Sequence, residues 1–529
     1  MNPLVPDTSL RPLTTEARSR NEAAVHRLWL PDLGNGRYRN PIIHADYSDP
    51  DVIRHGNDFY LTASSFNCTP GLPILHSRDL VNWRLINHAV KNLPNLRYEQ
   101  VQPGCGIWAP TIRFHEGKFW IFFAMPDEGI FVTTTSDPSG QWSEPHLLQE
   151  GKGLIDPCPL WDDDGKAYLV HAYAHSRSGL KDRLQICPLA PDGSRLLGEG
   201  RIVFHDPQKH PTVEGPKFLK RDGWYYILAP AGGVATGWQT VMRSRSIYGP
   251  YEDRIVLAQG NTSVNGPHQG AIVDTPDDQW WFIHFQDHGA YGRVTHLQPV
   301  EWQDDWPLVG SNQYAGVGEP VREHTKPSNS LEASPIVPQT SDDFNLPQLG
   351  LQWQWNANHR DDWYSLQARP GWLRLFAQPT SEQNLAVAPH LLLQKFPAPE
   401  FSATTVVELP VTDQEVNAGL VVLGYSYAGI AIRRCEGVLL LEQFSRDADS
   451  AENQGAIYET VAGLDGPIWL RTEVQSNAIC SFSYSLDGRA YSPVGRSIVA
   501  TPGIWIGAKV GIFSNGNNSY AEFESFRIE

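Results

Sequence analysis

Hydrophobic and polar positions alternate over short runs along most of this chain, and the runs come in pairs. DPDVIRHGNDFYLT (49–62) has two such runs on either side of a Gly-Asn-Asp turn, which predicts a β-hairpin. The pattern recurs in APTIRFHEGKFWIF (109–122), DPCPLWDDDGKAYLV (156–170), EGPKFLKRDGWYYI (214–227) and HQGAIVDTPDDQWWFI (268–283). Each hairpin turns near the same offset and carries an aromatic just after the turn. A second repeated element, HSRDLVNW (76–83), has echoes in TTSDPSGQW (134–142) and SRSIYGPYE (244–252), each after its own hairpin. The hairpins start roughly 46 to 60 residues apart, the period of a β-propeller with several strands per unit.

The same patterning sets the domain boundaries. Residues 1–36 form a polar lead-in in which 17–30 is expected to be one short helix. Residues 37–307 make a five-bladed propeller, and GRVTHLQPVEWQDDWP (292–307) supplies its last strands and packs against the N-terminal strand. Residues 308–340 are rich in Pro, Ser, Gly and Glu and read as a surface linker. From 341 to 529 about ten strand-like runs alternate with polar turns, from WLRLFAQ to AEFESFRI, and predict a two-sheet β-sandwich. The fold class is therefore all-β, a propeller followed by a sandwich.

Composition narrows the function. With 529 residues, two or more cores are expected. A formal net charge of −17 without a basic patch argues against nucleic acid as partner, whereas a neutral sugar suits an acidic surface. The six cysteines (68, 105, 158, 187, 435 and 480) show no zinc spacing and read as buried, reduced packing residues. No run reaches membrane-spanning length. The first 25 residues hold no apolar signal region, so the expected compartment is the cytoplasm, with an exported form that has lost its signal as the alternative.

In a propeller the innermost strands line one axis, so residues at the same place in each repeat converge at one axial end. That place holds Asp49, Asp156 and Glu214 in units one, three and four and Ala109 in unit two, with His268 nearby in unit five. Glu214 stands two residues before its Pro, whereas the two aspartates stand one before theirs. Either aspartate alone can serve an Asp-Pro turn. Three gathered carboxylates repel and raise one another's pKa, an arrangement that is costly unless used. Glycoside hydrolysis uses it: one carboxylic acid protonates the leaving oxygen and another carboxylate activates water or attacks the sugar.

The contexts YSDPDVIR, LIDPCPLW and VEGPKFLK resemble those of glycoside hydrolase family 43. GNDFYLTASSF, HSRDLVNW, GIWAPTIRFHEGKFWIFF, GRVTHLQPV and DDWP agree with it. The resemblance covers about 37–306 and implies an inverting enzyme acting on xylosides or arabinofuranosides. It implies Asp49 as general base, Glu214 as general acid and Asp156 as the residue that tunes and orients the acid. Inversion would set the Asp49 and Glu214 carboxyls about 6.5–9.5 Å apart. Arg293 in GRVTH is similar to the family arginine that reaches the sugar. Trp108, Phe66, Trp238, Asp127 and His268 are candidate substrate contacts, each with an ordinary packing or turn role as the alternative. Many family members place a histidine at His268 near an axial calcium, which makes His268 a candidate metal neighbour, although calcium prefers oxygen ligands. Asp51 is expected to face away from the site or to cap the turn.

DDFNLPQLGLQWQWN onward resembles the concanavalin-like sandwich of β-xylosidase-type members, which implies exo action. Asp342 and Asp343 are candidates for a second calcium there. No cofactor is otherwise required, the partner is a small oligosaccharide, and a homo-oligomer is possible through the sandwich edges. The sequence leaves two other functions open: a non-catalytic sugar-binding propeller, and a retaining fructosidase-like propeller enzyme.

Overall fold

The computed structural model describes residues 28–314, 316–328, 335–380, 384–411, 414–435, 437–448 and 455–529. The helix expected over 17–30 lies almost wholly outside them. Five antiparallel meanders of four consecutive strands follow one another in the chain, four of them as separate sheets and the fourth in order within a six-stranded sheet. Blade 1 runs from Asp51–His55 to Arg84–Val90, and blade 2 from Trp108–His115 to His146–Glu150. Blade 3 runs from Leu154–Trp161 to Arg201–Phe204, and blade 4 from Lys217–Arg221 to Glu252–Leu257. Blade 5 runs from His268–Asp274 to Trp306–Val309.

Blades face blades, so both sides of the inner strands are buried, and each seam has its own apolar cluster. Leu72, Ile74, Ile112 and Ile121 fill the seam between blades 1 and 2; Phe122, Val132 and Leu169 the next. Val170, Ile186, Phe218 and Ile227 fill the third seam, and Tyr226, Leu228, Phe282 and Val300 the fourth. Val52, Leu61, Val273 and Ile283 close the ring between blades 1 and 5. Each fully buried aliphatic or aromatic side chain here contributes about 1.5–3 kcal/mol of transfer free energy.

Blade 5 is built entirely from consecutive chain, so the ring closes by side packing rather than by a shared strand. The N-terminal strand Arg37–Arg39 and its successor lie against this blade. Tyr38 Oη donates to the Leu297 carbonyl, and Ile43 bridges Thr295. The stretch read as a linker does more than span the surface. Val317–Glu319 extends the blade 4 sheet and Glu323–Thr325 pairs with Arg37–Arg39.

All ten sandwich runs form strands. A seven-stranded sheet includes Leu392–Lys395, Lys509–Gly516 and Val416–Leu423, and an eight-stranded sheet includes Tyr520–Ile528, Phe401–Glu408 and Ile468–Gln475. Their facing sides share one large core, with Leu420, Ile430, Leu470, Ile512 and Phe523 at 2 % exposure or less. Five short strands of two to four residues escaped the periodicity, being too short to alternate. The sandwich grips the propeller through backbone: Thr69 and Trp355 exchange hydrogen bonds of 3.1 and 2.6 Å, and the Asn358 amide donates to the Tyr98 carbonyl.

Candidate active site

The inner strands begin in an unusual backbone state. Asp49, Ala109, Asp156, Gly215 and Gln269 all have positive φ, between 22° and 58°, at the same point of their five repeats. Only glycine adopts this region freely, and aspartate tolerates it better than most. Four of the five precede a proline, whose ring restricts them further. Such strain concentrates at functional sites, because surrounding structure must hold it.

This register corrects the equivalence expected from the repeats. Asp49 and Asp156 occupy the strained position itself. Glu214 stands one residue earlier, beside Gly215, in the position that Trp108 and His268 fill in blades 2 and 5. The physical reason is the glycine: the fourth repeat spends it on the left-handed position and moves its acid back by one. A side chain on Gly215 would collide with Gln269 of the next blade.

Asp49 is buried and held by three donors. Ser48 Oγ and Ser64 Oγ donate to Oδ2 at 2.8 and 2.6 Å, and Arg293 approaches Oδ1 at 3.2 Å. Ser64 Oγ in turn accepts from the Ala109 amide, so blade 2 helps to set the carboxylate of blade 1. Arg293 is itself fixed, its backbone amide donating to Asp46 Oδ1. Asp156 is buried and accepts from the Gly215 amide at 2.7 Å. Burial, and then the charges of Glu214 and Asp49, push its carboxyl up to about 8; the Gly215 amide and Lys217 oppose the rise. The Lys217 ammonium is buried on the axis, donating to the Pro110 carbonyl and Thr111. Glu214 keeps 31 % of its side chain exposed, and its Oε1 lies 3.0 Å from Nε2 of the fully buried His268.

The ionisable groups that converge are thus three carboxyls, Arg293, Lys217 and one imidazole. This set can hold a proton on one carboxyl while presenting another to water. Among the described residues, buried His268 Nδ1 has no hydrogen-bond partner. Among the described residues, no group of three or more His, Cys, Asp or Glu side chains could hold a metal. In the sandwich, Asp342 spends its oxygens on the amides of Phe344 and Gly350 and on Trp353 Nε1, a staple for its own loop.

The other candidates spread around this centre. Phe66, buried at positive φ, pairs with Ile107 through the backbone, and its ring lies 6.3 Å edge-on from Trp108. The half-buried Trp108 ring has the Arg177 guanidinium 5.2 Å from its centre. Asp127 ion-pairs with Arg97 and Arg177, joining this rim cluster. Trp238 packs on Gly232 and donates to His210, so much of its ring is spent within blade 4. Asp51 is fully buried away from the triad and accepts from Ile112 and Arg113, lacing blade 1 to blade 2.

The sandwich also reaches the site. Trp505, half exposed and at φ 64°, lies 6.3 Å from the Trp108 ring and 5.7 Å from the Arg293 guanidinium. Its loop is seated by Gly507, whose amide donates to Asp46 Oδ2 and whose backbone rests on Gly292. A Cβ on Gly292 would overlap the Asp46 side chain, so the glycine there is obligatory. Trp505, Asp46, Ser64 and Lys217 were not picked out from sequence. GIWIG (503–507) does echo the GIW of GIWAP (106–110), the one signal that points to Trp505.

Comparison with known proteins decides the family. The family described as "Glycosyl hydrolases family 43" matches residues 38–307. The chain belongs to glycoside hydrolase family 43. The "Beta xylosidase C-terminal Concanavalin A-like domain" matches residues 341–529. A putative β-xylosidase of Xylanibacter ruminicola is 41 % identical over 490 residues, 91 % of this chain and 86 % of that protein. A non-reducing end α-L-arabinofuranosidase of Bacteroides ovatus is 33 % identical over 392 residues, 66 % of this chain and 67 % of that one. The crystal structure of the family 43 protein BlXynB from Bacillus licheniformis superposes with a TM-score of 0.81 at 26 % identity. That match covers 93 % of this chain and 99 % of the other. The protein is therefore a glycosidase, not a sugar-binding propeller without catalysis.

Proposed function

We propose that this family 43 enzyme is an inverting, exo-acting hydrolase. It releases β-D-xylose and/or α-L-arabinofuranose from the non-reducing ends of hemicellulose oligosaccharides. The observation that carries the reading is the unequal setting of the three carboxyls. Asp49 is buried and oriented by three donors, suited to pulling a proton from water. Glu214 is the exposed one, free to reach a glycosidic oxygen. Asp156 is buried, anchored to the amide next to Glu214, and resists ionisation up to about pH 8. Water attacks the anomeric carbon as Asp49 takes its proton, while Glu214 gives its proton to the departing oxygen. His268 and Asp156 hold Glu214 and the charge balance around it. Arg293 orients Asp49 and presents donors to sugar hydroxyls.

Exo action is supported by the names of the relatives and by the rim. Trp505 of the sandwich stands beside Trp108 and one guanidinium away from Asp49, which favours a chain end over a chain middle.

Nitrophenyl β-xyloside and α-arabinofuranoside give the test of activity, and NMR of the first-formed sugar gives the test of stereochemistry. The expected first product has the opposite anomeric configuration to the substrate. Retention would overturn the assignment of Asp49 as base and favour the fructosidase-like alternative, in which a carboxylate attacks the sugar.

A further inference from the structure

The interface beside the site holds a lysine and a cysteine in an arrangement that packing alone does not explain. Lys509 opens the strand Lys509–Gly516 of the sandwich, and its Nζ lies 2.7 Å from Cys68 Sγ of the propeller. Both side chains are buried, at 3 % and 0 % exposure. A thiol is a weak hydrogen-bond acceptor, and sulfur's size places ordinary N–H···S bonds beyond the range of N–H···O bonds. A separation this short fits two single bonds through one bridging atom.

The setting is rigid. Asn67 and Thr69, the neighbours of Cys68, both bond to sandwich backbone: Asn67 Nδ2 donates to the Asn356 carbonyl, and Thr69 exchanges bonds with Trp355. The position of Sγ relative to Nζ is therefore fixed by both domains.

Electrostatics points the same way. A buried ammonium normally requires a carboxylate, and among the described residues no ion pair joins Lys509 to one. The burden is doubled, because Lys395 sits directly opposite in the neighbouring strand. Burial and the charge of Lys509 outweigh the nearby Asp46 carboxylate and lower the Lys395 amine to about 8. An interdomain cavity lined by Tyr47, His44, His88, Gln394 and Lys395 lies on the Lys395 side of this interface. Its walls carry buried polar atoms, His44 Nδ1, His88 Nδ1 and Gln394 Nε2, that have no hydrogen-bond partner among the described residues, as expected of a hydrated space.

We propose that Lys509 Nζ and Cys68 Sγ are the two ends of a covalent N–O–S bridge, an oxidative modification site that fastens the sandwich to the propeller beside Asp49. Amine, thiol and one dioxygen give R–NH–O–S–R′ and one water. Nitrogen and sulfur each lose two electrons, one oxygen atom stays in the bridge, and the other leaves as water with the thiol proton and one amine proton. Two molecules of hydrogen peroxide accept the same four electrons and leave three waters. The bridge removes a buried charge and ties down two functional loops. Cys68 lies four residues after Ser64, which holds Asp49, and Lys509 lies two after Gly507, which holds Asp46.

Peptide mapping by mass spectrometry on the full-length protein tests this, comparing anaerobic, reductant-treated enzyme with enzyme exposed to hydrogen peroxide. Oxidised protein should gain about 14 Da, one oxygen added and two hydrogens lost, on a cross-linked pair of peptides containing Cys68 and Lys509. Cys68 should then resist alkylation until a thiol reductant is added, and the oxidised form should melt several degrees higher. Cys68→Ser and Lys509→Arg should each abolish the mass shift, while Lys395→Arg should keep it. The wild-type map alone decides if a variant fails to fold. Cys68 that stays alkylatable, that goes only to sulfinic or sulfonic acid, or that links to Lys395 instead would overturn the proposal.

Discussion

At the scale of single residues, the site works by giving chemically identical groups different surroundings. Glu214→Ala should lower turnover of xylosides with poor leaving groups by about 10²–10⁴-fold, the usual worth of a general acid, and spare activated aryl glycosides. Rates measured across a series of leaving groups check this, and equal loss on all of them would contradict the acid role. Asp156 makes a prediction in pH. Its carboxyl sits at about 8 in the folded chain against 3.8 in the unfolded one. The native state therefore keeps a proton that the unfolded state has lost between those values. That stabilisation is complete below about pH 4 and fades as pH rises through 8. Asp156→Asn should flatten this part of the stability curve and move the alkaline limb of kcat/KM. Melting curves at pH 5 and pH 8 that run parallel for both proteins would sink the argument. Asp49, Asp156 and Glu214 were legible in the sequence because the repeat aligned them and Pro or Gly marked their turns. Ser64, Asp46 and Lys217 were not, because a polar residue near a hairpin start has no periodic signature of its own.

At the scale of elements, hairpins were readable and loops between domains were not. The hairpins are legible because their strands, buried on both faces, read as apolar runs broken at each polar Gly/Asn/Asp turn. The loop at 501–507 has no such pattern, yet it brings Trp505 against Trp108 and Arg293. Its left-handed backbone at a bulky residue is the mark of a position held for a purpose. Trp505→Ala should cut kcat/KM roughly two- to thirteenfold, the equivalent of the ~0.5–1.5 kcal/mol an aromatic contact supplies. The loss should appear mainly in KM, since the ring touches the rim and not the carboxyls. Steady-state kinetics on xylobiose and on a nitrophenyl xyloside separate the two constants. Unchanged KM with both substrates would make Trp505 a packing residue only.

At the scale of the whole molecule, the ring is held shut by chain that composition alone made look like a tether. The stretch after blade 5 turns back, adds Val317–Glu319 to blade 4, and pairs Glu323–Thr325 with the N-terminal strand. Strands of three residues are too short to alternate, which is why Pro, Ser and Glu dominated the reading. Just past them Lys326 is buried, its Nζ 2.5 Å from Asp32 and 3.3 Å from Asp79 of blade 1. Burial would raise the Asp32 carboxyl, but the bonds from Lys326 and Asn82 outweigh it and hold it below the usual value. One ammonium thus bridges two carboxylates drawn from the lead-in and the first blade. Lys326→Met would leave both of them buried without their cation, at a cost of about 3–5 kcal/mol. Because the pin spans the start and end of the propeller, the loss should lower the urea midpoint for the whole propeller rather than fray one strand. A midpoint shift monitored by tryptophan fluorescence, with the carboxyl geometry at Asp49 untouched and kcat preserved below the transition, is the expected result. An unchanged midpoint would mean that the seam between blades 1 and 5 closes the ring without the strap.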